Sequence, residues 1–295
     1  MDRAAFHSSR HRPFNVLQNP WYGLETTPIR RIQIRVHNAW TDVFLKLESE
    51  NFAGSIKART ALCLINSLEQ RGELTSGTTL IESTSGNLGV ALAMVARNKG
   101  YRFIAVIDPK TTDENVEKLK DMGAIIEWVS SADEYGGYLL SRINRIRELC
   151  RNNPNFVWPN QYENPANPLA HFSTTAPEIF EQLNRKVGAI LVPVSTGGTL
   201  AGISRYFRHI SPQTLLLAVD AHGSVVFADK ASPRKLTGIG ASRKSSFLTP
   251  AMYDDVFLIR DEEAFSFCHA LYYATGLMVG GSSGAALAAA YQFLL

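Results

Sequence analysis

One lysine of the sequence lies in a position that would change its chemistry. Lys57 follows Gly54 and Ser55 at the start of a helix predicted over residues 55–71. The start of a helix carries partial positive charge, which disfavours an ammonium ion and lowers the pKa of the amine. Because only the free amine attacks an aldehyde, such a lysine is suited to forming an imine. The alternative is an ordinary surface lysine in the first turn of a helix.

A polar turn connects the strand predicted over 79–82 to the helix predicted over 88–98. The turn consists of Ser83, Thr84, Ser85, Gly86 and Asn87. Backbone N–H groups and hydroxyls at the start of a helix form a cradle for an anion, and a substrate carboxylate would fit there. The same residue types also cap helices without any ligand, so an ordinary capped helix is the alternative.

Another turn has the composition of a phosphate-binding loop. It consists of Ser195, Thr196, Gly197, Gly198 and Thr199. The glycines let the backbone approach a phosphate, and the threonines add hydroxyl donors. The turn has neither the P-loop lysine nor the G-x-G-x-x-G dinucleotide pattern, so the phosphate of a small molecule fits better than a nucleotide. A tight turn without a ligand is the alternative.

A third polar turn, GGSSG at 280–284, opens the last predicted helix. By itself, it is better interpreted as the start of a capped helix.

Short apolar strands, polar turns and amphipathic helices alternate along most of the chain. Strands are predicted over 42–47, 79–82, 103–107, 125–129, 189–194 and 215–221. Helices are predicted over 55–71, 88–98, 113–122, 138–150, 175–183 and 261–275, from STGGT to about 209, and from 280 onward. Repeated strand–turn–helix units imply mostly parallel sheets with helices on both faces. Ligands of such sheets bind at the carboxyl ends of the strands, where the polar turns lie.

The composition is that of an ordinary globular protein. Apolar residues make up 45% and charged residues 19% of the 295 residues, and the net charge is +3, which argues against a disordered chain and against nucleic-acid binding. No apolar run reaches the roughly 18 residues of a membrane span, and the basic segment 1–17 lacks the apolar stretch of a signal peptide. The cysteines are odd in number and far apart: Cys63, Cys150 and Cys268. This spacing predicts buried thiols and neither disulfides nor a metal site. We expect a cytoplasmic protein.

Taken together and in this order, the Lys57 stretch and the three polar turns resemble those of the fold type II enzymes that use pyridoxal 5′-phosphate (PLP), the family of cysteine synthases and cystathionine β-synthases. The resemblance runs from TTP at 26–28 to Gly284. It implies an α/β fold of the tryptophan synthase β type, with two three-layer αβα domains and mostly parallel sheets. The large domain would comprise 1–46 and 159–295 and bind the cofactor phosphate. The small, mobile domain would comprise 47–158 and bind the substrate carboxylate. The resemblance also implies a homodimer.

The same resemblance implies a role for each residue singled out above. Lys57 would carry the cofactor as a Schiff base and act as the general base. The cofactor would also contact Asn87 at its ring oxygen, Ser282 at its pyridine nitrogen, and Ser195, Thr196, Gly197, Gly198 and Thr199 at its phosphate. The substrate carboxylate would be bound by Ser83, Thr84, Ser85, Gly86 and Gln161. Gly238 would lie in the loop GIGAS, which shapes the substrate entrance.

A hydroxyl at the pyridine nitrogen has a chemical consequence. A carboxylate there would keep the nitrogen protonated and make the ring a strong electron sink, whereas Ser282 leaves it a weaker one. The carbanion at the substrate Cα is then better discharged by expelling a substituent from Cβ. Ser282 therefore favours β-elimination and replacement over transamination.

Several stretches depart from ordinary cysteine synthases. They are TSGNL with Leu88, PVSTGG with Ser195, DAHGSVVFADK at 220–230 and GIGASR with Arg243. Together with DEYGGYLLSRI at 133–143 and NQY at 160–162, they resemble the siderophore-pathway subgroup of the family. That subgroup joins O-phospho-L-serine to L-glutamate and releases phosphate. Its product, N-(1-amino-1-carboxy-2-ethyl)-L-glutamate, is a precursor of 2,3-diaminopropionate.

Two further residues are candidates for contacting these substrates. Arg243 suits a phosphate leaving group or a glutamate carboxylate, because a guanidinium binds either group in bidentate fashion. Tyr162 lies next to Gln161 in the sequence. The alternatives are an exposed loop arginine and a packed tyrosine. Two rival functions stay open: a cysteine synthase that uses sulfide, and a non-catalytic scaffold, against which Lys57 argues.

The chain ends at Leu295, inside the helix that starts at GGSSG. Members of the family continue through a further strand and a terminal segment near the cofactor. We therefore expect a weaker active-site wall or dimer, and less than full activity, for a chain that ends at this residue.

Overall fold

The computed structural model describes residues 24–133 and 137–295. Its strands are β1 Ile29–Val36, β2 Ala39–Lys46, β3 Thr79–Ser83, β4 Arg102–Ile107, β5 Ile125–Trp128, β6 Phe156–Val157, β7 Ala189–Pro193, β8 Leu215–Ala221 and β9 Asp255–Ile259. Its helices are α1 Lys57–Gln70, α2 Asn87–Lys99, α3 Asp113–Asp121, α4 Leu139–Asn152, α5 Ala166–Ala170, α6 Ala176–Gln182, α7 Gly198–Ile210, α8 Asp261–Thr275 and α9 Gly281–Leu294. Each element predicted from the sequence is present, with ends shifted by at most a few residues.

The first sheet has the strand order β5-β4-β3-β6 and is parallel throughout. Successive residues of a strand point to opposite faces, so each strand feeds two cores. Leu80 and Phe103 face α1, α2 and α3. Ile81 and Ile104 face the other way, towards Ile146 of α4. The sheet is therefore the middle of three layers, which explains why its strands are apolar without alternation.

The second sheet has the order β7-β8-β9 and is also parallel. Ala218 of β8 faces a core shared with α6 and α7. The next residue, Val219, faces α8 and α9 on the opposite side. This sheet also lies between two helical layers, so the predicted fold class, α/β with mostly parallel sheets, is confirmed.

Three strands were not predicted from the sequence. Strand β1 forms an antiparallel hairpin with β2, with His37 at the turn in a left-handed conformation (φ 43°). Arginines in β1 (IRRIQIRV) obscure the alternation that marks a strand. Strand β6 has two residues, and β9 lacks a glycine-rich turn in front of it.

The helix predicted over 175–183 is the end of a longer helical segment. It begins at Ala166 in α5, continues through a π-helical turn at His171–Thr175, and ends in α6 at Gln182. The Pro/Asn-rich sequence PNQYENPANP at 159–168 hides this earlier start, because prolines interrupt most helices. Here Pro165 and Pro168 lie in the first turn of the segment, where a missing N–H costs nothing.

In the ranges 24–133 and 137–295, no helix is long and apolar enough to cross a lipid bilayer. The N-terminal segment 1–17 and residues 134–136 of the DEYGGYLLSRI stretch lie outside the described residues. The domain boundaries at 46/47 and 158/159 remain a prediction.

Candidate active site

Lys57 is the first residue of α1. Its backbone N–H donates to Ser55 Oγ at 3.4 Å, and the residue is half-buried. This burial lowers the pKa of the Lys57 amine to about 8. At neutral pH roughly a tenth of a group with that pKa is unprotonated, a few hundred times more than for an ordinary lysine. The free amine that imine formation requires is therefore available.

The polar turn after β3 is organised by the buried carboxylate of Glu82. Its Oε1 accepts from Ser83 N–H and from Trp158 Nε1–H, both at 2.9 Å. Its Oε2 accepts from the N–H of Gln161 at 3.1 Å, and Gln161 Nε2 donates to Ser83 O at 3.0 Å. Burial raises the pKa of Glu82 to about 7, against the effect of these hydrogen bonds. Gln161 is thereby fixed beside the turn with which the sequence associated it.

The rest of this turn leads into α2. Thr84 is buried, Ser85 and Gly86 are half-buried, and Asn87 is exposed as the first residue of the helix. Asn115 of α3 donates from Nδ2 to Ser85 O at 3.1 Å. The first N–H groups of a helix lack intrahelical acceptors, so the backbone at this turn can bind an anion.

The turn after β7 is a tight cradle that only glycine permits. Gly197 has φ 89°, and a Cβ atom there would lie 2.2 Å from Ser245 Oγ. A Cβ atom on Gly198 would lie 2.1 Å from Asn167 Oδ1. Helix α7 starts at Gly198. Its free N–H groups and the hydroxyls of Thr196 and Thr199 form a donor set suited to a phosphate.

Asn167 joins the two turns, and the sequence reasoning missed it. Its Nδ2 donates to Gln161 O at 2.7 Å and to Thr196 Oγ1 at 3.1 Å. Its Oδ1 lies 3.4 Å from Thr60 Oγ1 in the helix that starts at Lys57. The only sequence signal was the Pro/Asn-rich passage itself, which gave no reason to prefer one asparagine over another.

His171 lies in the π-helical turn and is fully buried. Its Nε2 is 3.1 Å from Thr60 Oγ1 and 3.2 Å from Thr199 Oγ1, and its Nδ1 is 3.0 Å from Thr175 Oγ1. Burial, followed by the positive charges of Lys57 and Arg59, holds the pKa of His171 well below its usual value. The imidazole is therefore neutral and links the helix of Lys57 to the turn after β7.

A small pocket borders the turn after β7 on the side of Tyr162. It is lined by Tyr162, Ser195, Thr196, Ala241, Arg243, Lys244, Ser245 and Ser246. Arg243 lies over the ring of Tyr162, with Cζ 5.6 Å from the ring centroid. Ser195 Oγ donates to Gly240 O at 3.1 Å. Four of the predicted site residues thus lie together: Tyr162, Ser195, Thr196 and Arg243.

Arg142 of α4 is a second functional candidate that the sequence reasoning missed. Its guanidinium is buried, and Nη1 lies 3.3 Å from Asp108 Oδ2. Within the described part of the chain, its Nε and Nη1 have no hydrogen-bond partner. Its positive charge also acts on Glu82 and on Tyr162. A buried guanidinium with unsatisfied N–H groups is a strong candidate for binding an anion.

The two remaining predicted site residues, Ser282 and Gly238, lie in segments that contact each other. Ser282 is half-buried in the first turn of α9. A Cβ atom on the preceding Gly281 would lie 2.6 Å from Leu236 Cδ2, so the start of α9 touches the segment that leads to Gly238. Gly238 is exposed and has φ 76°.

These residues fit PLP. The cradle at Gly197 and Gly198 would hold the phosphate, Lys57 would form the Schiff base, and the neutral Ser282 hydroxyl would face the pyridine nitrogen. The turn at 83–86, with Gln161 beside it, would then receive the carboxylate of an amino acid substrate.

Comparison with known proteins identifies the family. Residues 21–294 match the family described as pyridoxal-phosphate dependent enzyme. A curated relative from Ralstonia nicotianae, N-(2-amino-2-carboxyethyl)-L-glutamate synthase, is 44% identical over 268 residues, which is 91% of this chain and 79% of the relative.

Solved structures agree with this assignment. The crystal structure of O-ureido-L-serine synthase is 30% identical, with a TM-score of 0.85 over 95% of this chain and 87% of that one. An O-acetylserine dependent cystathionine β-synthase from Helicobacter pylori is 31% identical, with a TM-score of 0.84 over 95% and 91% of the two chains. The chain is therefore an enzyme that belongs to the pyridoxal-phosphate dependent family of fold type II.

Proposed function

We propose that this enzyme replaces the phosphate of O-phospho-L-serine with the amino group of L-glutamate. The Cβ–O bond of O-phospho-L-serine breaks, a bond forms between Cβ and the glutamate nitrogen, and the proton that this nitrogen loses is released with the phosphate. The product is N-(2-amino-2-carboxyethyl)-L-glutamate, which is the same compound as N-(1-amino-1-carboxy-2-ethyl)-L-glutamate. It is a precursor of 2,3-diaminopropionate in siderophore or antibiotic biosynthesis. The observation that carries the proposal is the 44% identity to the synthase of that name over 91% of the chain.

Lys57 is the catalytic base of the proposal. Bound PLP acidifies the Cα proton of the substrate by withdrawing electrons from that carbon. The amine of Lys57 accepts the proton at Cα and later returns it, a role that its lowered pKa of about 8 supports. Asn167 and His171 hold the helix of Lys57 against the phosphate cradle, so the base keeps its position relative to Cα.

O-phospho-L-serine carries two anionic groups, and two separate sites suit them. The turn at 83–86 and Gln161 bind the carboxylate. Arg142 binds the phosphate, because its buried Nε and Nη1 have no hydrogen-bond partner among residues 24–133 and 137–295. A phosphate oxygen would satisfy these N–H groups, which an uncharged acetyl ester would not do equally well.

The proposal includes motion and assembly. The unit 47–158 closes on the unit formed by 1–46 and 159–295 when the turn at 83–86 binds the substrate carboxylate, which excludes water from the reaction. Small-angle scattering with and without O-phospho-L-serine tests this closure, and an unchanged radius of gyration contradicts it.

The enzyme works as a homodimer in the cytoplasm, and light scattering of the purified protein tests the dimer.

A direct test supplies the purified enzyme with O-phospho-L-serine and L-glutamate and identifies the products by mass. We expect equal amounts of phosphate and N-(2-amino-2-carboxyethyl)-L-glutamate. Parallel reactions replace O-phospho-L-serine with O-acetylserine, and L-glutamate with sulfide. If sulfide reacts with either donor and L-glutamate does not, the enzyme is a cysteine synthase and the proposal is wrong.

A further inference from the structure

Two cations of the pocket beside Tyr162 have no role in the reaction as described so far. Arg243 and Lys244 are adjacent in the sequence, and both line this pocket. Its other walls include Ser195 and Thr196 of the phosphate cradle. Any anion bound here would therefore lie beside the cradle proposed for the cofactor phosphate.

Each of the two cations already holds a carboxylate of the chain itself. Arg243 Nη2 lies 3.3 Å from Glu163 Oε1, and Lys244 Nζ lies 3.1 Å from Asp229 Oδ1. Both carboxylates are open to solvent, with exposed side-chain fractions of 50% for Glu163 and 95% for Asp229. Exposed ion pairs contribute little to stability, so an incoming carboxylate can displace either partner at little cost.

The backbone that carries the two cations is fixed by the segment 220–230. Ser224 Oγ accepts from Ala241 N–H at 3.1 Å, and Lys244 donates to Ala228 O at 2.8 Å. On the other side, Ser245 Oγ donates to Thr196 O at 2.6 Å. The loop of Arg243 and Lys244 is thus held by the DAHGSVVFADK stretch on one side and by the phosphate cradle on the other, so its backbone is positioned before any ligand binds.

We infer that Arg243 and Lys244 form the subsite for the side-chain carboxylate of the second substrate, a dicarboxylic amino acid. The inference rests on the proposed function and adds the residues that select L-glutamate over uncharged amines. The carboxylate of Glu163 pairs with Arg243 in the absence of substrate, and the substrate carboxylate replaces it on binding. Arg142 provides a separate site for the phosphate, which leaves this pair for the acceptor.

The test compares Arg243→Gln and Lys244→Gln with wild-type holoenzyme. We expect each change to raise the KM for L-glutamate about two- to five-fold, since an ion pair at a partly exposed cation is lost. The burst of phosphate released from O-phospho-L-serine without L-glutamate stays unchanged. The matched control is Arg208→Gln, which removes an equally exposed arginine paired with Asp254 outside this pocket. It leaves both quantities unchanged.

Glu163→Gln gives a result of the opposite sign. It removes the competing carboxylate, so the KM for L-glutamate falls about two- to five-fold while the KM for L-glutamine does not. The preference for L-glutamate over L-glutamine is expected to shrink in Arg243→Gln. If Arg243→Gln slows the phosphate burst and leaves the KM for L-glutamate unchanged, Arg243 serves the leaving phosphate and the inference is wrong.

A binding measurement separates this inference from the proposed function. Glutarate has both carboxylates of L-glutamate but no amine, so its calorimetric Kd does not depend on turnover. Weaker glutarate binding by Arg243→Gln than by Arg208→Gln supports the subsite even if no glutamate product forms. Equal binding by the two variants contradicts the subsite, whatever the reaction proves to be.

Discussion

At the scale of single residues, burial gives Lys57 its chemistry. The sequence suggested a lowered pKa because of the helix start, and the structure adds desolvation as the cause that brings the pKa to about 8. Desolvation disfavours the charged form of any group, so the same effect that frees the amine also makes the folded protein less stable while the amine is protonated.

Replacing Lys57 with Met is therefore expected to stabilise the cofactor-free protein near neutral pH. The native pKa of about 8 lies below the usual value of 10.5, which corresponds to a cost of up to about 3 kcal/mol below pH 8. Wild-type stability rises between pH 8 and 10.5, because only the unfolded chain still binds the proton there. Urea unfolding at pH 7 and pH 10 measures the free energy of unfolding of both proteins. If the difference between Lys57→Met and wild type does not shrink as the pH rises, the prediction is wrong.

Arg142 leads to a prediction about the first substrate. Arg142→Gln removes the guanidinium proposed to bind the phosphate, so the KM for O-phospho-L-serine is expected to rise at least about tenfold. The KM for O-acetylserine, if that compound reacts, changes much less. Steady-state kinetics with the two donors measures the ratio. Equal losses for both donors would show that Arg142 supports the fold of the site and does not read the phosphate.

At the scale of elements, the helix starts position the chemistry. Helices α1, α2, α7 and α9 begin at Lys57, Asn87, Gly198 and Gly281, and all four follow polar turns. The start of α7 has little space, because a Cβ atom on Gly198 would overlap the amide of Asn167. The cradle and the asparagine that joins it to Gln161 are therefore a single unit.

Gly198→Ala is expected to weaken PLP binding by at least about tenfold. The new methyl group would lie 2.1 Å from Asn167 Oδ1, so Asn167 must leave Thr196 and the phosphate cradle must widen. Equilibrium dialysis of PLP and the absorbance of the bound cofactor measure the loss. Gly188→Ala, at a position where a Cβ atom meets nothing within 4 Å, is the control and keeps wild-type affinity.

At the scale of the whole molecule, a buried charge cluster joins distant segments two residues after Lys57. Arg59 is fully buried and binds Glu48 through Nε at 2.8 Å and Glu178 of α6 through Nη1 at 2.6 Å. Its Nη2 also donates to Thr27 Oγ1 at 3.0 Å. One guanidinium thus connects the N-terminal part of the chain, the helix of Lys57 and α6.

Arg59→Met is expected to destabilise the protein by about 3–5 kcal/mol, because both carboxylates lose their buried partner. Despite the cost of burial, Arg59 and Lys46 hold the pKa of Glu178 below its usual value. The stability from Glu178 is therefore present above pH 4.5 and lost as the pH falls further. Urea unfolding at pH 7 and pH 4 measures both effects. Arg208→Met, which breaks an exposed pair, should cost less than about 1 kcal/mol; an equal cost for the two variants contradicts the prediction.

The sequence by itself determined the fold class, the cofactor chemistry and the positions of the polar turns. The spacing of apolar residues, the placement of glycines and the residue types at helix starts are local properties. The turns at 83–87 and 195–199 could therefore be recognised without coordinates. The hairpin strand β1 was not predicted because arginines obscure its alternation. The start of the helical segment at Ala166 was not predicted because prolines obscure its helical pattern.

Only the tertiary structure decided which distant residues meet. Asn167 connects to Gln161 and Thr196, and His171 connects to Thr60 and Thr199. Among residues 24–133 and 137–295, Nε and Nη1 of Arg142 have no hydrogen-bond partner. None of these contacts has a local signature, since each depends on how helices pack against one another. The pKa of Lys57 follows the same rule, because it is lowered by the burial that only the folded chain creates.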